Sequence, residues 1–337
     1  MDREKVRAYA IIYSSPFLSI VVILLSISLG TMNISFNEIY NAFFHYDAEN
    51  VEQIIIRTAR FPRAVGTLLI GGLLAMSGAL MQGMTRNYLA SPSIMGVSDG
   101  AAFMITLAFV FFPSISSLQM VAVSFLGSSL GVFLVLGLAS IVKNGFSPLR
   151  LAIIGTVFGS FLSSLSSALA SYFQVSQNMS FWYNARLHQL NNELLLLCFP
   201  LAIVGIILAL SLSKSIAILS LGKEIATSLG QKTLIIQLLT MVAVVIMTGI
   251  SVSLAGKIGF VGLIIPHITR MIVGVDYKKI IPCSGILGAL FLVICDTFSR
   301  FINYPFESPI GIVTAFIGVP FFLYLIKTKG GGNMQRG

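Results

Sequence analysis

The sequence predicts an all-α polytopic membrane protein with about ten transmembrane helices. Of its 337 residues, 56% are hydrophobic and only 10% charged, and the mean hydropathy is +0.93, which leaves far too little polar surface for a soluble domain of this size. Apolar runs recur at the roughly 20-residue length that crosses a bilayer as a helix. Those runs are unbroken rather than alternating, so helices and not barrel strands satisfy the backbone in lipid.

Taken in order, the first run, 11–30, follows Arg3, Lys5 and Arg7 and lacks a small-residue cleavage site, so it reads as a retained span and not a removed signal peptide. The segment 33–63 is too polar to span. Its Glu38, Asp47, Glu49 and Glu52 alternate with Phe36, Ile39, Phe43, Phe44 and Ile54, a pattern that suits either an amphipathic helix at the interface or a structured loop over the helix ends. Further runs at 64–84, 94–112, 118–142, 150–173, 194–213 and 234–254 each have spanning length and are separated by charged or proline-bearing links. The eighth, 258–274, is short and holds Pro266, His267 and Arg270, which leaves open whether it is a continuous span or is broken and partly re-entrant. The ninth and tenth are 281–298 and 309–326. Together they form one transmembrane domain, 1–329, followed by a flexible C-terminal tail, 330–337.

If ten spans begin and end on the same side, fifteen of the 21 basic residues fall on that side. They include Arg86, Lys143, Arg150, Lys214, Lys223, Lys232, Lys278 and Lys279. The positive-inside rule then puts both termini in the cytoplasm. The net charge of +9 is a topology signal, and nucleic-acid binding is not read from it. Six basic residues remain outside: Arg57, Arg60, Arg63, Arg186, Lys257 and Arg300.

Cys198, Cys283 and Cys295 lie in apolar runs without metal-ligand spacing and read as core residues. No Ser/His/Asp or metal-ligand constellation emerges. His267 near Arg270 is read first as a hydrogen-bonded packing residue and second as an ionisable group to be tested. Gly230-Gln-Lys-Thr233 is not a phosphate loop, because the required upstream glycine is missing and position 225 is Ile. A membrane enzyme is disfavoured for want of clustered polar groups. An ion-coupled secondary transporter is disfavoured because Asp99 and Asp296 fall near predicted helix ends rather than within spans.

On 150–173, Ser160, Ser164, Ser167 and Ser171 fall on one helical stripe, with Ser163 and Ser166 beside it and Gly155 and Gly159 on a neighbouring row. Small residues at this spacing mean close helix packing, as Gly127 and Gly131 also suggest, or a weakly polar cavity wall; the two readings can coexist on different faces. In Leu219-Ser-Leu-Gly-Lys-Glu-Ile-Ala-Thr-Ser-Leu-Gly230, Leu221, Ile225 and Leu229 recur four apart, which predicts a short amphipathic helix closed by Gly230.

Several blocks carry a family resemblance. They are Arg60-Phe-Pro-Arg63, Met76-Ser-Gly-Ala-Leu-Met-Gln-Gly83, Arg86-Asn-Tyr-Leu-Ala-Ser-Pro92, Gly96-Val-Ser-Asp-Gly-Ala101, Ala255-Gly-Lys-Ile-Gly-Phe-Val-Gly-Leu-Ile-Ile-Pro-His-Ile-Thr-Arg270 and Pro309-Ile-Gly-Ile-Val-Thr-Ala-Phe-Ile-Gly-Val-Pro-Phe-Phe-Leu-Tyr324. Together they resemble the FecCD/BtuC-like permeases, membrane subunits of bacterial ABC importers for ferric siderophores, heme or cobalamin. That resemblance implies a transport subunit with no cofactor and no ATPase site of its own, ATP being bound by a partner. It also implies a second permease subunit, identical or paralogous, two ATP-binding cassette subunits and an extracytoplasmic substrate-binding protein in the cytoplasmic membrane. Ferric siderophore is the expected cargo, with cobalamin, heme and molybdate-type oxyanions as alternatives.

By the same resemblance, Arg60, Arg63 and Arg300 receive acidic residues of the binding protein, against the plainer reading that they snorkel or pair locally. Leu221, Gly222, Glu224, Ile225, Leu229 and Gly230 match the helix that couples to the ATPase. Asn87, Leu89 and Ser147 sit at the inner mouth of a path lined by Ser160, Ser164, Ser167 and Ser171. Two departures stand out. Tyr88 replaces the proline of Asn-Pro-Leu-Ala, which puts the backbone of the inner gate in question. Arg186 replaces a small residue of Trp-x-x-Gly-Ser-Leu, either tuning an outer contact or drifting in an exposed loop.

Overall fold

A computed structural model describes residues 3–30, 32–142, 145, 147–184, 187–304 and 306–329. Arg186, Lys143 and the expected tail 330–337 lie outside the described residues. The chain is helical throughout its elements: α1 (Arg3–Ser28), α2 (Phe36–Phe44), α3 (Val51–Ile55), α4 (Phe61–Thr85), α5 (Val97–Phe111), α6 (Ser117–Ile141) and α7 (Pro148–Tyr172). There follow α8 (Ser176–Tyr183), α9 (Asn192–Leu219), α10 (Lys223–Ser228), α11 (Thr233–Ala255), α12 (Val261–Val273), α13 (Tyr277–Ser299) and α14 (Ile310–Lys329). A helix stands at each of the ten expected spans: α1, α4, α5, α6, α7, α9, α11, α12, α13 and α14. Among the described residues, seven helices are long and apolar enough to cross a membrane, while α5, α12 and the apolar part of α14 are shorter.

Burial sorts these helices. In the most apolar window of α4, which continues the turn from α3, 78% of residues are buried, against 11% in α1, so α4 is the central post and α1 a peripheral helix. Small residues let the neighbours of α4 approach. A side chain on Gly78 would collide with the carbonyl of Gly262 on α12, and that carbonyl has lost its usual i+4 amide partner because position 266 is proline. Pro266 therefore sits within α12 without breaking it, and the eighth span is a continuous helix of 13 residues. On α5 and α6, Gly100 packs directly on Gly127 and Gly131, the close-packing role expected of small residues in a membrane.

The segment 33–63 holds two short helices. Ser35 caps α2 by accepting from the amide of Glu38 at 3.2 Å, and Asn50 caps α3 through the amide of Glu52 at 3.0 Å. Ile39, Ala42 and Ile56 pack on Ile27 of α1, whereas Phe36, Tyr40 and Phe44 face outward. This is the division an interfacial helix requires.

Candidate functional site

Four groups of residues stand at successive depths of the bundle. At the expected outer side, Arg63 directs Nε and Nη2 at Asp296, with Nη2 2.8 Å from Oδ1, and Nη1 at both carboxylate oxygens of Glu307, at 2.9 and 2.8 Å. Arg300 donates Nη2 to Asp296 Oδ2 and, at 3.1 Å, to Ser26 Oγ, while Nη1 donates to the Ser26 carbonyl at 2.7 Å. Arg60 donates Nη1 to the Ile27 carbonyl at 2.5 Å and Nη2 to that of Met32. Two arginines thus satisfy carbonyls at the C-terminal end of α1, where the helix dipole favours cations. These contacts bear on the docking expectation for Arg300. It is only 3% exposed, with desolvated Asp296 and the α1 carbonyls on its Nη1 and Nη2. Arg63 reaches the surface only through its Glu307 edge, since its side chain is 12% exposed and that of Glu307 39%. Among the described residues, Arg57 is an exposed cation on this side; it lies 4.3 Å over the Tyr46 ring and the charge pattern marks it only as a topology charge.

Midway through the bundle, the serine stripe of α7 is exposed at Ser160, Ser164, Ser167 and Ser171, whereas Ser166 on the adjacent row is buried. A cavity of about 510 Å³ opens beside it, lined by Ser93, Asp99, Thr156, Ser160, Ser163, Ser164 and Lys257. Lys257 Nζ stands 3.5 Å from Asp99 Oδ1. The Asp99 carboxylate fits against Gly159, where an added Cβ would come within 2.6 Å of Oδ2. Gly159 is the twelfth residue of the 25-residue α7, so this pair sits about midway along that helix. Lys257 therefore does not belong to an outer loop, as the charge pattern predicts; the link 256–260 between α11 and α12 dips into the bundle. The available signal was the shortness of the apolar run after it, which forms a helix of only 13 residues.

Toward the expected inner side, Asn87 Oδ1 accepts from the amide of Leu89 at 2.9 Å, forming a turn just after Arg86, which takes φ 53°. Asn87 and Leu89 are exposed there and Ser147 is half-buried at the start of α7. Tyr88 has a definite partner. The Arg270 guanidinium carbon lies 3.9 Å from its ring centroid, while Nη2 donates to Gln82 Oε1 at 3.2 Å and to the Tyr277 hydroxyl at 3.0 Å. His267, buried, meets Phe321 edge to face at 6.0 Å.

Between α9 and α11 the chain forms α10 as expected, although the helix is confined to six residues, Lys223–Ser228. Gly222 at φ 137° and Gly230 at φ 80° bound it, conformations open to glycine at little cost. Ala226 is buried beneath, and Glu224 is exposed. Leu221, Ile225 and Leu229 are 60%, 47% and 63% exposed, an apolar row presented outward from the chain.

The sequence matches the FecCD transport family over residues 18–328. The chain belongs to this family. It is 57% identical over 321 residues to the iron-uptake system permease protein FeuB of Bacillus subtilis, covering 95% of this chain and 96% of that one. It is 46% identical over 308 residues to the iron(3+)-hydroxamate import system permease protein FhuB of the same organism, covering 91% and 80%. Its fold matches an inward-facing metal-chelate type ABC transporter at a TM-score of 0.82 and 30% identity, over 95% of this chain and 99% of that one. Family membership makes the chain a multi-pass permease subunit of an ABC importer, whose ATPase and binding protein are separate chains. It also removes the secondary-transporter reading.

Proposed function

We propose that this permease imports a ferric siderophore, handed over by a binding protein outside and released into the cytoplasm as ATP drives alternating access. The observation that carries this reading is the exposed apolar row Leu221, Ile225 and Leu229. Within the subunit it is left uncovered, at the end of the bundle where the ATPase of an importer acts. The iron and iron-hydroxamate names of the relatives at 57% and 46% identity support a ferric chelate as cargo over cobalamin, heme or an oxyanion.

Two permease subunits, identical or paralogous, enclose the path, and two ATPases dock beneath, with both termini on the cytoplasmic side. Ser160, Ser164, Ser167 and Ser171 line that path, and Asn87, Leu89 and Ser147 frame its inner mouth. Leu221, Gly222, Glu224, Ile225, Leu229 and Gly230 form the coupling surface. Docking of the binding protein uses the outer face, where Arg57 and the Glu307 edge of Arg63 are presented, with Arg60 and Arg300 holding that face from beneath. The test is reconstitution of the permease with its ATPase and binding protein in liposomes supplied with radiolabelled ferric tris-hydroxamate or ferric tris-catecholate. ATP- and binding-protein-dependent accumulation of one of them is expected; accumulation driven by an ion gradient without ATP would overturn the proposal.

A further inference from the structure

The α7 cavity holds a charge pair that the importer assignment does not use. Lys257 and Asp99 are unequal partners. The Lys257 side chain is 49% exposed and that of Asp99 20%, and the carboxylate is recessed against Gly159, whose missing Cβ makes room for it. The contact is a single 3.5 Å approach of Nζ to one oxygen, so the ammonium, with three donors, keeps hydrogen-bonding capacity toward the cavity. Around it stand Ser160, Ser163 and Ser164, whose hydroxyls have no protein partner among the described residues. Thr156 is already committed to the Ala152 carbonyl at 2.8 Å. A lysine at this depth is costly in a membrane and is found facing a bundle interior or a water-filled cavity. The cavity therefore presents a cation and hydroxyl donors to its contents while the anion is held back.

Resting on the transport reading above, we propose that this cavity is a transit site for the anionic oxygens of a metal chelate, such as carboxylate or catecholate oxygens. Lys257 leaves Asp99 to contact the passing anion and returns to Asp99 once it has moved on. The return keeps the site weak: a lysine without a counter-charge would bind an anion too tightly to release it, whereas one with a resident carboxylate exchanges partners. With two copies facing each other across the path, two such lysines would flank it.

The test uses the complete transporter in membranes and small probes rather than the cargo. A Ser160→Cys variant is treated with an anionic sulfonate-bearing methanethiosulfonate and, separately, with its cationic trimethylammonium counterpart. The native Cys198, Cys283 and Cys295 are all buried, and the unsubstituted protein measures their background. Relative to a free thiol, the anionic reagent should gain roughly tenfold over the cationic one, the scale of local charge focusing in a low-dielectric cleft. Lys257→Gln should erase the preference, Lys257→Arg should keep it, and Asp99→Asn should enlarge it. A ratio unchanged by Lys257→Gln, a preference for the cation, or no reaction with either reagent would each overturn the proposal. A flat ratio alongside intact ATP-driven uptake removes this site and leaves the importer reading standing; failed uptake with the charge preference intact does the reverse.

Discussion

Asp296 is one carboxylate between two arginines, fully buried and hydrogen-bonded by both. Removing the charged partner of a buried pair typically costs about 3–5 kcal/mol, because the remaining charge is left desolvated. Asp296→Asn should therefore lower the thermal midpoint of the detergent-purified protein sharply, while Arg57→Glu, on an exposed cation, leaves that midpoint unchanged and weakens binding-protein affinity. Reversing Arg63 is a poor probe of docking for the same reason, since it would place a carboxylate against Asp296. At the inner side, Tyr88→Ala removes the ring beneath Arg270; at an exposed site a cation–π contact is worth about 0.5–1 kcal/mol. A small loss of thermal stability is expected, with faster thiol labelling of an Asn87→Cys reporter, and unchanged labelling would show that the ring does not hold this turn. None of these partnerships was legible in the sequence. Arg300 could be placed at a helix end, but its burial depends on the end of α1, more than 270 residues away. Tyr88 could be recognised only as a departure, because the guanidinium it stacks on arrives from α12.

Among the elements, the spans were legible because apolar length is a local property that lipid imposes on each helix separately. The short helix α10 was legible for a related reason: apolar residues four apart and a closing glycine encode it within a dozen positions. The depth of the links was not. The link 256–260 looks like an outer loop by charge, yet it enters the bundle because α12 is only 13 residues long and packs through Gly262 onto the central α4. The serine stripe likewise carried two readings until its neighbours were in place, with Gly159 serving packing against Asp99 and the serines facing the open side. At this scale the test is Leu229→Asp. The residue lies outside the long helices and is exposed, so the fold should survive, but an unpaired charge would be desolvated in any partner interface. ATPase co-purification and uptake should be lost together while the binding protein still docks; retention of both would reduce 221–230 to a surface loop.

Taken whole, the molecule has a rigid post, α4, with α12 and α13 packed closely on it, and a more exposed wall in α7, where 28% of the most apolar window is buried. The outer arginine network stiffens one end and α10 offers an apolar contact at the other, so in the proposed assembly a push at α10 would act on a body that moves as a unit against a second permease subunit. Closely packed interfaces switch between discrete arrangements rather than deforming continuously, which is how, in the proposed mechanism, ATP binding at one end would change access along the serine wall. The most direct measurement is the rate at which a Ser164→Cys thiol is labelled in membranes containing the full transporter, with and without a non-hydrolysable nucleotide. The rate should change with nucleotide, and the change should vanish when Leu229→Asp is added to the same chain. Equal labelling in every nucleotide state with Leu229 intact would contradict a path along α7 gated through α10.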